Sequence, residues 1–125
     1  MILVDTSVWI DHFRGGATAS RLAKLLEDGA VAVHPWVLGE LSLGSLGARR
    51  GAILRDLGKL PALDVVVDGE VLAMIERRGL GGSGIGWVDA HLLASALAAP
   101  AELWTRDRRL AKVASRLHVL AASDG

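Results

Sequence analysis

Apolar residues fall in short runs and in three-to-four-residue rhythms that alternate along the chain. Ile2-Leu3-Val4 is a short buried-type run stopping at Asp5, the pattern of a strand covered on both faces. Thr6 or Ser7 can then cap a helix running to about Arg14, which Gly15-Gly16 ends. Leu22, Leu25 and Leu26 give a helical face to Thr18–Asp28, and Ala30–His34 reads as the next strand. Pro35 suits the first turn of a helix carried through Glu40 to about Leu46. A helix over Ala48–Leu60 presents Ile53, Leu54 and Leu57 on one side. Leu63–Val67 is a β-branched strand, and Asp68 caps a helix lined by Val71, Leu72 and Ile75. A glycine-rich loop over Arg77–Gly86 leads to a strongly apolar helix that Pro100 stops. A strand at Glu102–Thr105, a helix from about Arg106 to Ser115 and a last strand at His118–Leu120 complete the series. Strands alternating with helices predict an α/β fold of three layers, a mostly parallel sheet of about four or five strands covered on both faces.

With 125 residues, 51% of them apolar, the chain has the length of one domain, 1–125, and ample material for a core. Cysteine is absent, which excludes disulfides, thiolate metal sites and Cys nucleophiles and suits a cytoplasmic location. The opening Met-Ile-Leu-Val-Asp carries no signal-peptide pattern. The apolar stretch Ala90–Ala101 is too short for a membrane span of roughly 20 residues. Four Trp, one Phe and no Tyr make an aromatic stacking platform an unlikely main device; the tryptophans are expected in the core or at an interface. Net charge is zero, a composition that by itself counts against nucleic acid. Setting aside four acids as a metal pocket changes that picture, because ten acids then face fourteen basic residues.

Those four acids stand in unusual surroundings. Asp5 ends an Ile-Leu-Val strand, and Asp107 follows Leu103-Trp104-Thr105. Glu40 shares a helical face with Trp36, Val37 and Leu43, and Asp89 shares one with Leu92 and Leu93. A carboxylate on an apolar face costs several kcal/mol to desolvate unless it is compensated. Each has an ordinary reading. Asp5, Asp89 and Asp107 can cap helices, and Glu40 can pair with an Arg. Together, meeting at the C-terminal edge of a parallel sheet, they need more positive charge than nearby side chains offer. A hard divalent cation such as Mg²⁺ supplies it through oxygen ligands, at the edge where open α/β sheets place their ligands.

The segments that carry these acids resemble the PIN domains, and within them the VapC ribonuclease toxins of bacterial toxin–antitoxin pairs. The likeness rests on Met1-Ile-Leu-Val-Asp-Thr-Ser-Val-Trp-Ile-Asp11, Trp36-Val-Leu-Gly-Glu-Leu41, Gly84-Ile-Gly-Trp-Val-Asp-Ala-His-Leu-Leu93 and Leu103-Trp-Thr-Arg-Asp107. It implies an endoribonuclease hydrolysing RNA phosphodiester bonds with Mg²⁺ or Mn²⁺ held by Asp5, Glu40, Asp89 and Asp107. It also implies a cognate antitoxin protein and a homodimer as partners. Ser7, which matches a polar position of the family, and Thr105 are candidates for hydrogen bonding beside the acids.

The remaining signals are weaker. Gly79-Leu-Gly-Gly-Ser-Gly84 matches G-x-G-x-x-G but follows a helix end where the dinucleotide fingerprint needs a strand, so it is read as a flexible loop beside the site. Arg109, Lys112 and Arg116 recur at helical spacing, either to meet RNA phosphates or as a solvated face. His12 and His91 lie near site acids in sequence without a role that can be assigned. A catalytically silent RNA- or protein-binding module, a DNA-directed nuclease and a phosphate-accepting receiver domain are the rival readings. The receiver lacks its lysine near the final strand, where Asp107 stands.

Overall fold

The computed structural model describes residues 1–122. Its centre is a parallel sheet ordered β2–β1–β3, formed by β1 (Ile2–Val4), β2 (Val31–Ala32) and β3 (Glu102–Trp104). Leu3 lies opposite Ala32 on one side and Leu103 on the other. All three residues are buried, which explains why these strands are apolar throughout rather than alternating. From β1 the chain passes through α1 (Thr6–Phe13) and α2 (Ala19–Glu27) to β2. It returns across β1 to β3 through α3 (Pro35–Leu43), a 3₁₀ turn at Gly47–Arg49, α4 (Arg50–Leu57), α5 (Asp68–Arg77) and α6 (Trp87–Ala98), and α7 (Arg108–Arg116) follows. The two crossovers run in opposite directions across the sheet, and with the right-handed connection that parallel strands take this puts helices on both faces.

The sheet has fewer regular strands than expected. Leu63–Val67 is not a strand; a single parallel bridge between Val33 and Ala62 marks that edge. Leu63 N–H donates to Val33 O at 2.9 Å, after which the chain diverges and Asp64 O accepts from the Ser95 hydroxyl instead. At the other edge His118–Leu120 is reduced to a bridge between Leu103 and Leu120. Among the described residues five chain segments thus take part in the sheet, three of them as strands. The Ala48–Leu60 helix is likewise split, because it begins as the 3₁₀ turn and ends at Leu57. Asp68 does not cap α5 from outside but is its first residue, preceded by Val67.

One apolar cluster holds the layers together. Leu3, Val8, Leu22, Val37, Leu92, Leu93, Leu103 and Leu110 are fully buried, each contributing roughly 1.5–3 kcal/mol of transfer free energy. Helix α6 runs through the middle, with every residue from Ala90 to Ala96 buried. A helix apolar all round is the expected sequence of a central one. Trp9 and Trp104 belong to this core, whereas Trp36 and Trp87 remain 40% exposed. No helix of the described residues is long and apolar enough to cross a membrane.

Candidate metal centre

Parallel strands deliver their carboxyl ends to one edge, and the chain places its acids there. Asp5 directly follows β1, and its N–H donates to Trp104 O at 2.9 Å. It is 6% exposed, so its carboxylate needs partners. Oδ2 accepts from Ser7 Oγ at 2.7 Å and from Thr105 Oγ1 at 2.8 Å. Each hydroxyl in turn accepts a main-chain N–H of the β3–α7 loop, Ser7 from Arg106 and Thr105 from Asp107, both at 3.0 Å. The two supporting residues expected from the sequence therefore tie β1, α1 and the loop after β3 into one hydrogen-bonded corner.

Asp107 does the ordinary work of a helix cap as well. Its Oδ1 accepts from Leu110 N–H at 3.0 Å, at the start of α7. Asp89, third residue of α6, accepts from Gly86 N–H through Oδ2 at 3.0 Å. Glu40, in the middle of α3, accepts from Thr6 Oγ1 through Oε1 at 2.7 Å. Among the described residues, one oxygen of each of the four carboxylates, Oδ1 of Asp5, Oε2 of Glu40, Oδ1 of Asp89 and Oδ2 of Asp107, has no hydrogen-bond partner.

Asp89 senses the other three acids. Burial holds the Asp89 carboxyl above the usual carboxylate range, and the negative charges of Asp5, Asp107 and Glu40 push it further the same way. The acids are not equally desolvated, however. Glu40 and Asp107 are exposed at the rim, Asp89 is half-buried and only Asp5 is fully enclosed. The face that Glu40 shares with Trp36 and Leu43 is apolar but turned outward, since α3 buries Val37 and Leu41 instead. What the four have in common is like charge, felt at Asp89 from the other three, rather than desolvation of every member. Among the described residues no three acids or imidazoles lie close enough together to hold a metal ion as they stand.

The sequence reading missed a second layer. Asp11, one helical turn beyond Ser7, pairs with Arg106, its Oδ1 2.7 Å from Nη1 of the guanidinium. Its Oδ2 accepts from the Thr18 N–H and hydroxyl. The Thr18 hydrogen bonds, with Arg106 adding to them, hold the Asp11 carboxyl below its usual range. Gly16 passes so close that a Cβ there would lie 2.0 Å from Asp11 Oδ1, so the glycine that looked like a helix stop is also a space for this carboxylate. Arg106 is anchored at both its main chain and its side chain, so this cation beside the corner is already engaged. The Asp11 spacing of four from Ser7 on α1 was the available signal. Thr6, which orients Glu40, was passed over as a mere cap.

Of the histidines, His91 is buried against Asp68, Nε2 to Oδ1 3.1 Å, with Trp36 stacked on it and Trp87 edge-on. His12 packs against Trp9 and Phe13. Neither is placed to act on the acids' free oxygens by any hydrogen bond among the described residues. Arg109, Lys112 and Arg116 lie exposed along α7, beside the glycine-rich loop rather than inside the ring of acids.

Comparison with known proteins gives the chain a family. The family model described as PIN domain matches residues 2–116. The chain is 47% identical over 125 residues to the protein named Ribonuclease VapC32 in two Mycobacterium tuberculosis strains, CDC 1551 / Oshkosh and H37Rv, covering 99% of this chain and 98% of each relative. The crystal structure of PAE2754 from Pyrobaculum aerophilum superposes with a TM-score of 0.64 at 21% identity, over 90% of this chain and 83% of that one, a likeness of fold.

Proposed function

The chain belongs to the PIN-domain family, and from that premise we propose that it is a metal-dependent endoribonuclease, the toxin of a toxin–antitoxin pair. The observation that carries the reading is the set of four carboxylates at one sheet edge, each tied down through one oxygen and free at the other. Asp5, Glu40, Asp89 and Asp107 are the residues that would hold Mg²⁺ or Mn²⁺. Bound there, such an ion supplies Lewis-acid polarisation of a phosphate oxygen and a lowered pKa for water. The chain's own residues do the positioning. Ser7 and Thr105 fix the Asp5 carboxylate and the loop that carries Asp107, while Thr6 sets Glu40. A preorganised acid cluster needs little rearrangement when charge develops at the reacting phosphate.

Cleavage of a labelled single-stranded RNA tests this. Activity should require Mg²⁺ or Mn²⁺ and disappear with EDTA, and Asp5→Asn should abolish it while the circular dichroism spectrum stays unchanged. Cleavage that survives either treatment refutes the metal mechanism. Equal cleavage of DNA of the same sequence would transfer the reading to a DNA-directed nuclease. We propose two protein partners, a second copy of the chain and an inhibitory antitoxin whose addition should suppress RNA cleavage, with the cytoplasm as the place of action. Suppression that fails with the product of the neighbouring gene would remove the antitoxin from this account.

A further inference from the structure

The glycine-rich loop and α7 enclose a groove of about 560 Å³ outside the ring of acids, lined by Gly82, Ser83, Arg109, Lys112, Ser115 and Arg116 among others, and by no acid. Two arginines strap the loop to the helix. Arg116 Nη2 donates to Arg78 O at 2.7 Å at the loop's start. Near its end the Arg109 stem lies across Gly84, where a Cβ would sit 2.9 Å from Arg109 Cδ. Gly84 has φ +87°, a left-handed conformation that favours glycine, so both backbone shape and space require it. Between the straps stands Lys112.

None of the three cations pairs with an acid among the described residues, although Lys24, Lys59 and Arg106 all do. Three positive charges therefore lie uncompensated along one groove. Arg109 is two residues past Asp107, and Gly84 leads into the segment that carries Asp89, so the groove opens directly beside the acids. From Arg109 to Arg116 the helix rises about 10 Å, against about 3.4 Å of axis per nucleotide in a stacked strand. Four carboxylates repel a polyanion even with a cation among them, so a strand delivered to them needs positive charge elsewhere along its length.

We infer that this groove is a phosphate track that holds the backbone of single-stranded RNA on one side of the scissile bond, with Arg109, Lys112 and Arg116 meeting phosphates spread over about three nucleotide steps without reading bases. The inference rests on the ribonuclease reading. Phosphate contacts set affinity and register without sequence information, and they make binding fall with salt.

Cleavage kinetics on a single-stranded RNA in Mg²⁺, over a range of salt, test it with Arg109→Gln, Lys112→Gln and the double variant. Lys24→Gln, a lysine already paired with Asp28, serves as control. Arg116 is a poorer probe because its guanidinium itself hydrogen-bonds the loop, whereas the Arg109 strap is a packing contact of its stem, which Gln keeps in part. Each groove variant should raise KM about three- to fivefold near physiological salt with kcat retained, and lower the log–log salt slope by about 0.7 per charge removed. Melting temperatures matching the wild type exclude misfolding, and Lys112→Glu should raise KM further. A double variant with wild-type KM and slope overturns the groove while leaving the nuclease intact. A wild type that cleaves no RNA overturns both. If the double variant keeps wild-type RNA kinetics but loses binding to a poly-glutamate peptide, the groove is an acidic-peptide site and the RNA assignment fails.

Discussion

Asp89 shows how a single residue serves two ends that conflict. One oxygen satisfies Gly86 N–H at the start of α6, and the charge sits half-buried among three other acids. Its raised pKa means that the folded metal-free protein resists its ionised form, so stability falls as pH rises through the carboxylate range. Asp89→Asn keeps a carbonyl oxygen for Gly86 and removes the repulsion. In EDTA the variant should melt about 3–6 °C above the wild type, a gain of about 1 kcal/mol, while RNA cleavage is lost. A variant melting at or below the wild-type temperature in EDTA would show that the acids do not strain the metal-free fold. Asp5, Asp89 and Asp107 were legible as single residues because each stands at a strand end or helix start. The free oxygen that each keeps was not, since it depends on which partner takes the other one.

At the scale of elements, the joints between them decide the geometry. His34 closes β2 and caps α3: its Nδ1 accepts from Trp36 N–H at 3.0 Å, while Nε2 lies 3.1 Å from the Ser95 hydroxyl of α6. Ser95 spends its own proton on Asp64 O, so the ring must donate from Nε2 and is neutral. Burial, with His91 nearby, depresses its pKa from 6.5 to about 4. The unfolded chain therefore takes up the proton first, and this joint loses stability as pH falls below 6.5, levelling off near 4. The loss should reach up to roughly 3 kcal/mol. Thermal melts between pH 7 and pH 4.5 should show it, and His34→Asn, which can still cap α3, should flatten the curve. Identical pH profiles for the two proteins would rule His34 out as the cause. Nothing in the sequence announced this joint, because Ser95 lies 61 residues from His34 and reads as one more small residue of an apolar helix. The Asp11–Arg106 pair joins α1 to the β3–α7 loop across a still longer separation in sequence.

For the whole molecule, the outward apolar face of α3 is the feature without an internal purpose. Leu43 is 91% exposed, and it borders a surface depression with Pro35, Trp36, Gly39, Val65 and Val88 that reaches Glu40. A patch of this kind next to Glu40 suits a self-complementary contact with a second copy, which would bring the two proposed sites close together. Sedimentation equilibrium should give twice the chain mass for the wild type and the chain mass for Leu43→Asp. A monomeric wild type at tens of micromolar would remove the dimer from the account. The same view explains why net charge misleads here: acids are concentrated at one sheet edge, and uncompensated cations gather along the groove beside it.

Local chemistry in the sequence sufficed for the α/β alternation and the central apolar helix, and it singled out the four acids proposed to hold a metal. Apolar runs, breakers and a charge at the end of a strand act over a few residues, where the chain itself sets the spacing. Tertiary structure alone decided how many strands complete the sheet, which acids are buried and which stand at the rim, and which hydroxyl or guanidinium holds each of them. Those outcomes depend on partners distant in sequence, such as Asp5 and Thr105, whose meeting is fixed by the packing of β1 beside β3.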